Sequence, residues 1–397
     1  MRILFISDVF FPRVNGVSTS LQTFWQELKR LGHDITVIAP DYGFDEIQNS
    51  SLIRIPSRVV LFDPEDRMMY KRRILDLGTE LRSRDFELIH IQTPFVAHYA
   101  GVYLSRLLNI PLLVTYHTFF EEYLFHYVPF LPRSWLRFAA RRFSRTQCND
   151  VDAVVVPSTA MRNILSDYGV TTRMEVIPTG IQLEQFEGGN GARFREAHGI
   201  PRERPLLLHV GRVAFEKNIS FLLRMVKQIK KSITDVLLII AGEGPAASAL
   251  RREVIKLDIA DNVMFIGNMD RETMLMDCYR AADVKVFASR TETQGLVLLE
   301  AMALGVPVVS TAMMGTKDVL QPGCGAEIVG EDEQEFAAAV MRMLSDSELA
   351  KRLSDRGREY VKSWSAPIMA GHMVDLYHQV VRDHKVQMLG QTQDAGL

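Results

Sequence analysis

Short aliphatic runs punctuate the chain at Ile3 to Ile6, Ile35 to Ile38, Leu88 to Ile91, Leu112 to Thr115 and Ala153 to Val156, with helical patterns between them. Such runs, lacking polar alternation, predict strands buried on both faces. Their alternation with helices predicts βαβ units around a parallel sheet. After Val176 the pattern gives way to Pro178, Gly188, Gly189, Asn190 and Gly191. It restarts at Leu206 to Val210, Val236 to Ile240, Val263 to Ile266, Val284 to Phe287 and Val306 to Val309. The expected fold class is α/β, with two Rossmann-like parallel-sheet domains facing across a cleft. The first spans residues 1–185 and the second 200–365. A helix at 366–385 is expected to cross back onto the first domain, followed by a frayed tail at 386–397.

Composition narrows the function classes. The 397 residues carry 46 Lys and Arg against 48 Asp and Glu, a net charge of −2, and 47% are hydrophobic. This balance argues against a disordered chain or a generally basic nucleic-acid binder. Cys148, Cys278 and Cys324 lie far apart without metal-ligand spacing, so neither a disulfide framework nor a metal site is expected, and a reducing cytoplasmic setting fits best. The opening MRILFISDVF has no small-residue cleavage site and reads as a first strand. The longest apolar stretch, Leu296 to Met314, is broken by Glu300, Gly305 and Pro307, so any membrane contact should be peripheral.

Four constellations could carry chemistry. In TETQGLVLLEAMALGVPVV, from Thr291 to Val309, Glu292 and Glu300 stand eight apart. With a helix starting near Gly295, Glu292 lies in the preceding loop and Glu300 roughly 7.5 Å along the axis. The two carboxylates could then hold different parts of one extended ligand, with the amides of Gly295 and Leu296 facing a phosphate. The bare spacing equally fits a solvated Glu292 and an ion-pairing Glu300. After Leu206 to Val210 comes GRVAFEKN, in which Arg212 and Lys217 flank a turn and Asn218 is a candidate N-cap. Two cations at a parallel strand's carboxyl end suit an anionic ligand and could stabilise a departing diphosphate, although Lys217 could also pair with Glu216. Gly16, opening the helix after the first strand, would let backbone amides approach a ligand. His117 ends the PLLVTYH strand at the expected cleft mouth, where it could hydrogen-bond a sugar hydroxyl. Ala241 to Ala247, AGEGPAA, matches a dinucleotide fingerprint, but the strand after it is followed by Gly267 and Asn268 instead of an acid.

Taken in order, NGV, GR followed by EKN, AGEGP, FIGN and the E-x7-E segment resemble the retaining nucleotide-sugar glycosyltransferases of family four. The resemblance covers nearly the whole chain. It implies a GT-B fold, a metal-independent hexosyltransferase without a cofactor, a donor on the C-terminal domain and an acceptor on the N-terminal domain. It further implies Arg212 and Lys217 on the diphosphate, Glu292 on the sugar hydroxyls, Glu300 on the ribose, amides of Gly295 and Leu296 on phosphate or sugar, Gly16 beside the donor, and His117 on the transferred sugar. Within the family, His117 to Tyr127, Pro132 to Ser134 and Ile177 to Ile181 look most like bacterial diacylglycerol glucosyltransferases. Thr179 and Gln182 depart from the Asn and Asp that many members carry.

The residues themselves also point toward lipid. Arg133, Arg137, Arg141 and Arg145 recur every four positions among Phe130, Leu131, Trp135, Leu136, Phe138 and Phe143, with no acid between Glu122 and Asp150. An interfacial helix drawn to an anionic membrane surface fits this pattern, with Arg133, Trp135, Arg137 and Arg141 as its contacts. An arginine face over an ordinarily packed helix fits it too. The expected function is transfer of glucose from UDP-glucose to a lipid hydroxyl such as diacylglycerol, at the inner face of the cytoplasmic membrane. A transferase for soluble or polyprenyl-linked glycans, a GDP-mannose-dependent mannosyltransferase, and a catalytically silent sugar-nucleotide or lipid binding protein are the alternatives.

Overall fold

The computed structural model describes residues 1–43, 51–60, 63–119, 121, 131–270 and 273–394. The chain divides into two compact units, Met1–Gly180 with Ala366–Leu397, and Ile181–Ser365.

The first unit is built on strands β1 (Arg2–Ile6), β2 (Asp34–Pro40), β3 (Leu52–Ile55), β6 (Leu88–Ile91), β7 (Leu112–Thr115), β8 (Ala153–Val156) and β9 (Met174–Val176), with a hairpin of β4 (Ser57–Val60) and β5 (Asp63–Met69). The parallel sheet runs β3-β2-β1-β6-β7-β8-β9. β1 sits near its middle, and Ile3, Leu4, Phe5 and Ile6 are fully buried. The five aliphatic runs of this half form strands because helices cover both sheet faces. The final helix, Ala366–Asp394, belongs to this unit. Its buried Tyr377 hydroxyl lies 2.7 Å from His90 Nδ1 on β6, while His90 Nε2 lies 2.7 Å from Thr115 Oγ1 on β7. The helix continues through Asp394, so the segment expected to fray from 386 is helical to that point.

The second unit repeats the plan with β10 (Leu206–Val210), β11 (Leu237–Ala241), β12 (Val263–Gly267), β13 (Val284–Phe287), β14 (Val308–Ser310) and β15 (Ala326–Ile328), ordered β12-β11-β10-β13-β14-β15. Its core lies in two layers, one on each face. Val284 and Val286 point into one, while Phe287 points into the other with Tyr279, Leu298 and Leu299. That alternation along β13 puts Lys285 on the Phe287 side, fully buried.

Candidate functional site

In the second unit the candidate residues gather where β10 and β13 end. β13 gives way to a loop carrying Glu292, and the helix Leu296–Ala303 follows. Gly295 opens that helix at φ 97°, a left-handed conformation that a side chain would strain. Among the described residues the Gly295 and Leu296 amides reach no acceptor, so the helix start offers two donors to a ligand. The loop is tied down by the Gly315 amide, which donates to the Glu292 carbonyl at 2.9 Å.

From the other side, Gly211 leads off β10 into Arg212 and a short 3-10 turn, Phe215–Lys217. Lys217 Nζ donates to Glu292 Oε2 at 2.6 Å, with both side chains about one-fifth exposed. The partner of Lys217 is therefore Glu292, not Glu216. Arg212 is exposed and has no side-chain partner among the described residues. Asn218 does occupy the cap position of the Ile219–Lys230 helix, but at φ 55° it makes no side-chain cap. Its amide instead donates to Glu331 at 3.3 Å. The left-handed backbone turns the side chain away from the first-turn amides it would have capped.

Glu300 is the fifth residue of its helix and almost fully buried, and it accepts from the Tyr279 hydroxyl at 2.9 Å. Two groups that sequence reasoning passed over lie nearby. Lys285 Nζ is 3.5 Å from the Val210 carbonyl and 5.7 Å from the Tyr279 ring centre. Burial lowers its pKa to about 7, opposed by the charges of Glu300, Cys278 and Glu292. His209, stacked on Phe287, is held well below the usual histidine range by burial and by Lys285 and Lys217.

The AGEGP loop has a structural task here. A Cβ on Gly242 would sit 2.1 Å from the Gly211 carbonyl oxygen, and Val213 and Glu243 are joined by a 2.9 Å backbone hydrogen bond. The fingerprint-like glycines thus allow this loop to lie against the Arg212 loop.

In the first unit, Gly16 opens the Gly16–Arg30 helix. The Val17 and Ser18 amides are taken by the Asn15 side chain in a capping box, so they are engaged in this structure instead of facing a ligand. Open space lies over Gly16 itself. His117 Nε2 is 3.0 Å from Gln92 Oε1, and burial lowers its pKa to about 4, so it is a neutral hydrogen-bonding group near pH 7.

Arg133 begins the Arg133–Asn149 helix. Arg137 and Arg141 pair with Glu121 at 2.6 and 3.2 Å, and Tyr168 donates to the same carboxylate at 2.6 Å. These two arginines of the stripe are thus engaged by an acid just upstream of the acid-free stretch. Trp135 and Phe138 are 72% and 67% exposed, whereas Leu136 is buried. Phe120, Glu122 to Tyr127, Pro129 and Phe130 lie outside the described residues.

Comparison with known proteins matches residues 14–185 to Glycosyltransferase Family 4 and residues 191–360 to Glycosyl transferases group 1. The alpha-monoglucosyldiacylglycerol synthase of Streptococcus pneumoniae is 36% identical over 320 residues, 78% of this chain and 71% of that protein. A GDP-mannose-dependent alpha-mannosyltransferase of Mycobacterium tuberculosis is 27% identical over 398 residues, covering 96% and 97%. Among solved structures, the sucrose-phosphate synthase from Thermosynechococcus elongatus has the same fold. It superposes with a TM-score of 0.76 at 24% identity, covering 96% of this chain and 99% of that one.

Proposed function

Because the chain belongs to the family 4 glycosyltransferases, with their two-domain GT-B fold, we propose that it moves glucose from UDP-glucose to a lipid hydroxyl such as that of diacylglycerol. The observation that carries this reading is the 36% identity to the pneumococcal synthase, spread over 78% of the chain. The second unit supplies a chemistry that fits. Arg212 and Lys217 are cations that can take charge developing on a leaving diphosphate, and the Gly295 and Leu296 amides add fixed donors. Glu292 and Glu300 are assigned to the sugar hydroxyls and the ribose. Lys217 exchanges its Glu292 partner for phosphate when donor arrives, freeing that carboxylate for the sugar. The departing diphosphate then deprotonates the acceptor hydroxyl on the same face, giving retention without a cofactor or a required metal.

The lipid acceptor implies work at a membrane surface. No helix among the described residues is long and apolar enough to cross a membrane. A groove on the first unit is lined by Tyr99, Trp135, Phe138, Arg142 and Phe143. Aromatic side chains beside cations suit the boundary between water and anionic lipid, so Trp135 and Phe138 are the contacts we assign, together with Arg133 and Arg142. The 27% identity to the mycobacterial mannosyltransferase, over nearly the full chain, favours a GDP-mannose-dependent enzyme as the second reading.

Donor hydrolysis without acceptor tests the assignment. Slow release of UDP from UDP-glucose is expected. Release of GDP from GDP-mannose instead would favour the second reading, and inertness toward both would favour a silent binding protein.

A further inference from the structure

The second unit buries a lysine that neither the fold nor the mechanism above requires. Lys285 stands in the middle of the sheet on β13, where aliphatic neighbours Val284 and Val286 show what the position would ordinarily hold. An ammonium costs several kcal/mol to desolvate, so its retention needs a compensating group. Among the described residues the ammonium makes one hydrogen bond, to the Val210 carbonyl, 3.5 Å long. The Tyr279 and Phe287 ring centres lie 5.7 and 5.9 Å from its ammonium, and the charges of the Glu300 and Glu292 carboxylates act on it from beyond ion-pair distance. Those carboxylates are the two assigned to the donor, and Tyr279 is the residue that donates to Glu300.

Arg212 and Lys217 balance Glu292 and Glu300, leaving the cluster neutral before a doubly negative diphosphate enters. Lys285 makes it positive. We propose that Lys285 is a positioning residue for the donor: its ammonium is the fixed counter-charge that holds Glu300, with Tyr279, in place for the ribose, and it tips the cluster toward anion binding. This rests on the assignment of Glu300 and its neighbours to a sugar nucleotide.

The consequence is donor affinity that depends on the charge of Lys285. Of the groups facing it, the Cys278 thiol is pushed up to about 12 by burial and His209 lies well below its usual range, so neither changes charge between pH 6 and 8.5. The charges of Glu300 and Glu292 and the Tyr279 and Phe287 rings also act on it. With a pKa of about 7, the charged fraction falls from roughly nine in ten at pH 6 to roughly one in thirty at pH 8.5. The diphosphate diester of a sugar nucleotide keeps its charge throughout.

The test is calorimetric titration of UDP-glucose and GDP-mannose, which share a ribosyl diphosphate, into the wild-type chain and Lys285→Met across pH 6 to 8.5, with thermal unfolding of both. Wild-type affinity for whichever donor binds should fall about tenfold or more across this range. Lys285→Met should be about tenfold weaker at pH 6 and flat with pH, while unfolding at the same or a higher temperature, since an apolar residue replaces a buried charge. A flat wild-type profile overturns the proposal even if the variant fails to fold. Unchanged affinity in a folded variant overturns it too, leaving Lys285 a fold element while the donor assignment stands. Failure of both donors to bind the wild type overturns the donor assignment and this proposal together.

Discussion

The Lys217 ammonium and the Glu292 carboxylate, 75 positions apart in sequence, meet at 2.6 Å. Each comes from a loop that follows a strand of the second unit. On the proposed reading the pair is a latch that a diphosphate opens, a phosphate oxygen replacing the carboxylate. Lys217→Ala should lower turnover by about 10²-fold or more, the scale of one lost preorganised donor. Adding Glu292→Ala should cost less than the sum of the two separate losses, because the pair acts as a unit. Steady-state rates of the four proteins check this. Near-full activity in Lys217→Ala would remove the lysine from the mechanism.

The arginines and aromatics of the Arg133–Asn149 helix should behave differently. Arg137 and Arg141 hold Glu121, whose side chain is only 10% exposed. Their joint replacement by Glu should destabilise the fold by about 1–3 kcal/mol through an uncompensated, largely buried carboxylate. Trp135→Ser with Phe138→Ser should leave stability and donor hydrolysis near wild type and sharply reduce sedimentation with phosphatidylglycerol vesicles. Undiminished sedimentation of the aromatic variant would sink the membrane role of this face.

Asp8 gives stability a distinct pH dependence. It is buried in the loop just after β1, where Thr93 and the Ala97 amide donate to it at 2.8 and 3.2 Å, so a loop residue caps the Val96–Leu108 helix that lacks a side-chain cap of its own. Burial outweighs these hydrogen bonds and raises its pKa from 3.8 to about 6. The folded state therefore holds this proton more tightly than the unfolded chain. Its contribution is full below about pH 4 and is lost as pH rises through 6, worth about 3 kcal/mol in all. Denaturant unfolding at pH 4 and pH 7 should show wild type losing most of it, about 2 kcal/mol, relative to Asp8→Asn. A difference that stays constant with pH would contradict it.

Strands with fully apolar runs were legible because a covered parallel sheet buries both of their faces. The edges were not. β3 is half-buried, and β9 and β15 have three residues each, MEV and AEI, so pairing with a neighbour defines them more than their own pattern does. The loop position of Glu292 and the helical position of Glu300 could be read from spacing, since one glycine marks where the helix begins. Lys285 could not, because a single lysine in VKVF looks like the polar side of an exposed strand until the Leu296–Ala303 helix covers it. Nor could the pairing of Arg137 and Arg141 with Glu121, which joins side chains that no local period brings together. The cap expected of Asn218 failed for a backbone reason, since residue type cannot tell whether an asparagine will take the left-handed turn.

The central claim is hexose transfer from a nucleotide to a lipid. The most direct measurement presents UDP-glucose, UDP-galactose, UDP-GlcNAc and GDP-mannose separately, each with diacylglycerol in anionic micelles, and identifies products by mass spectrometry. Glucosylated diacylglycerol from UDP-glucose alone is the predicted result. A mannosylated product from GDP-mannose, or no lipid product with any donor while a soluble glycan is extended, would contradict it.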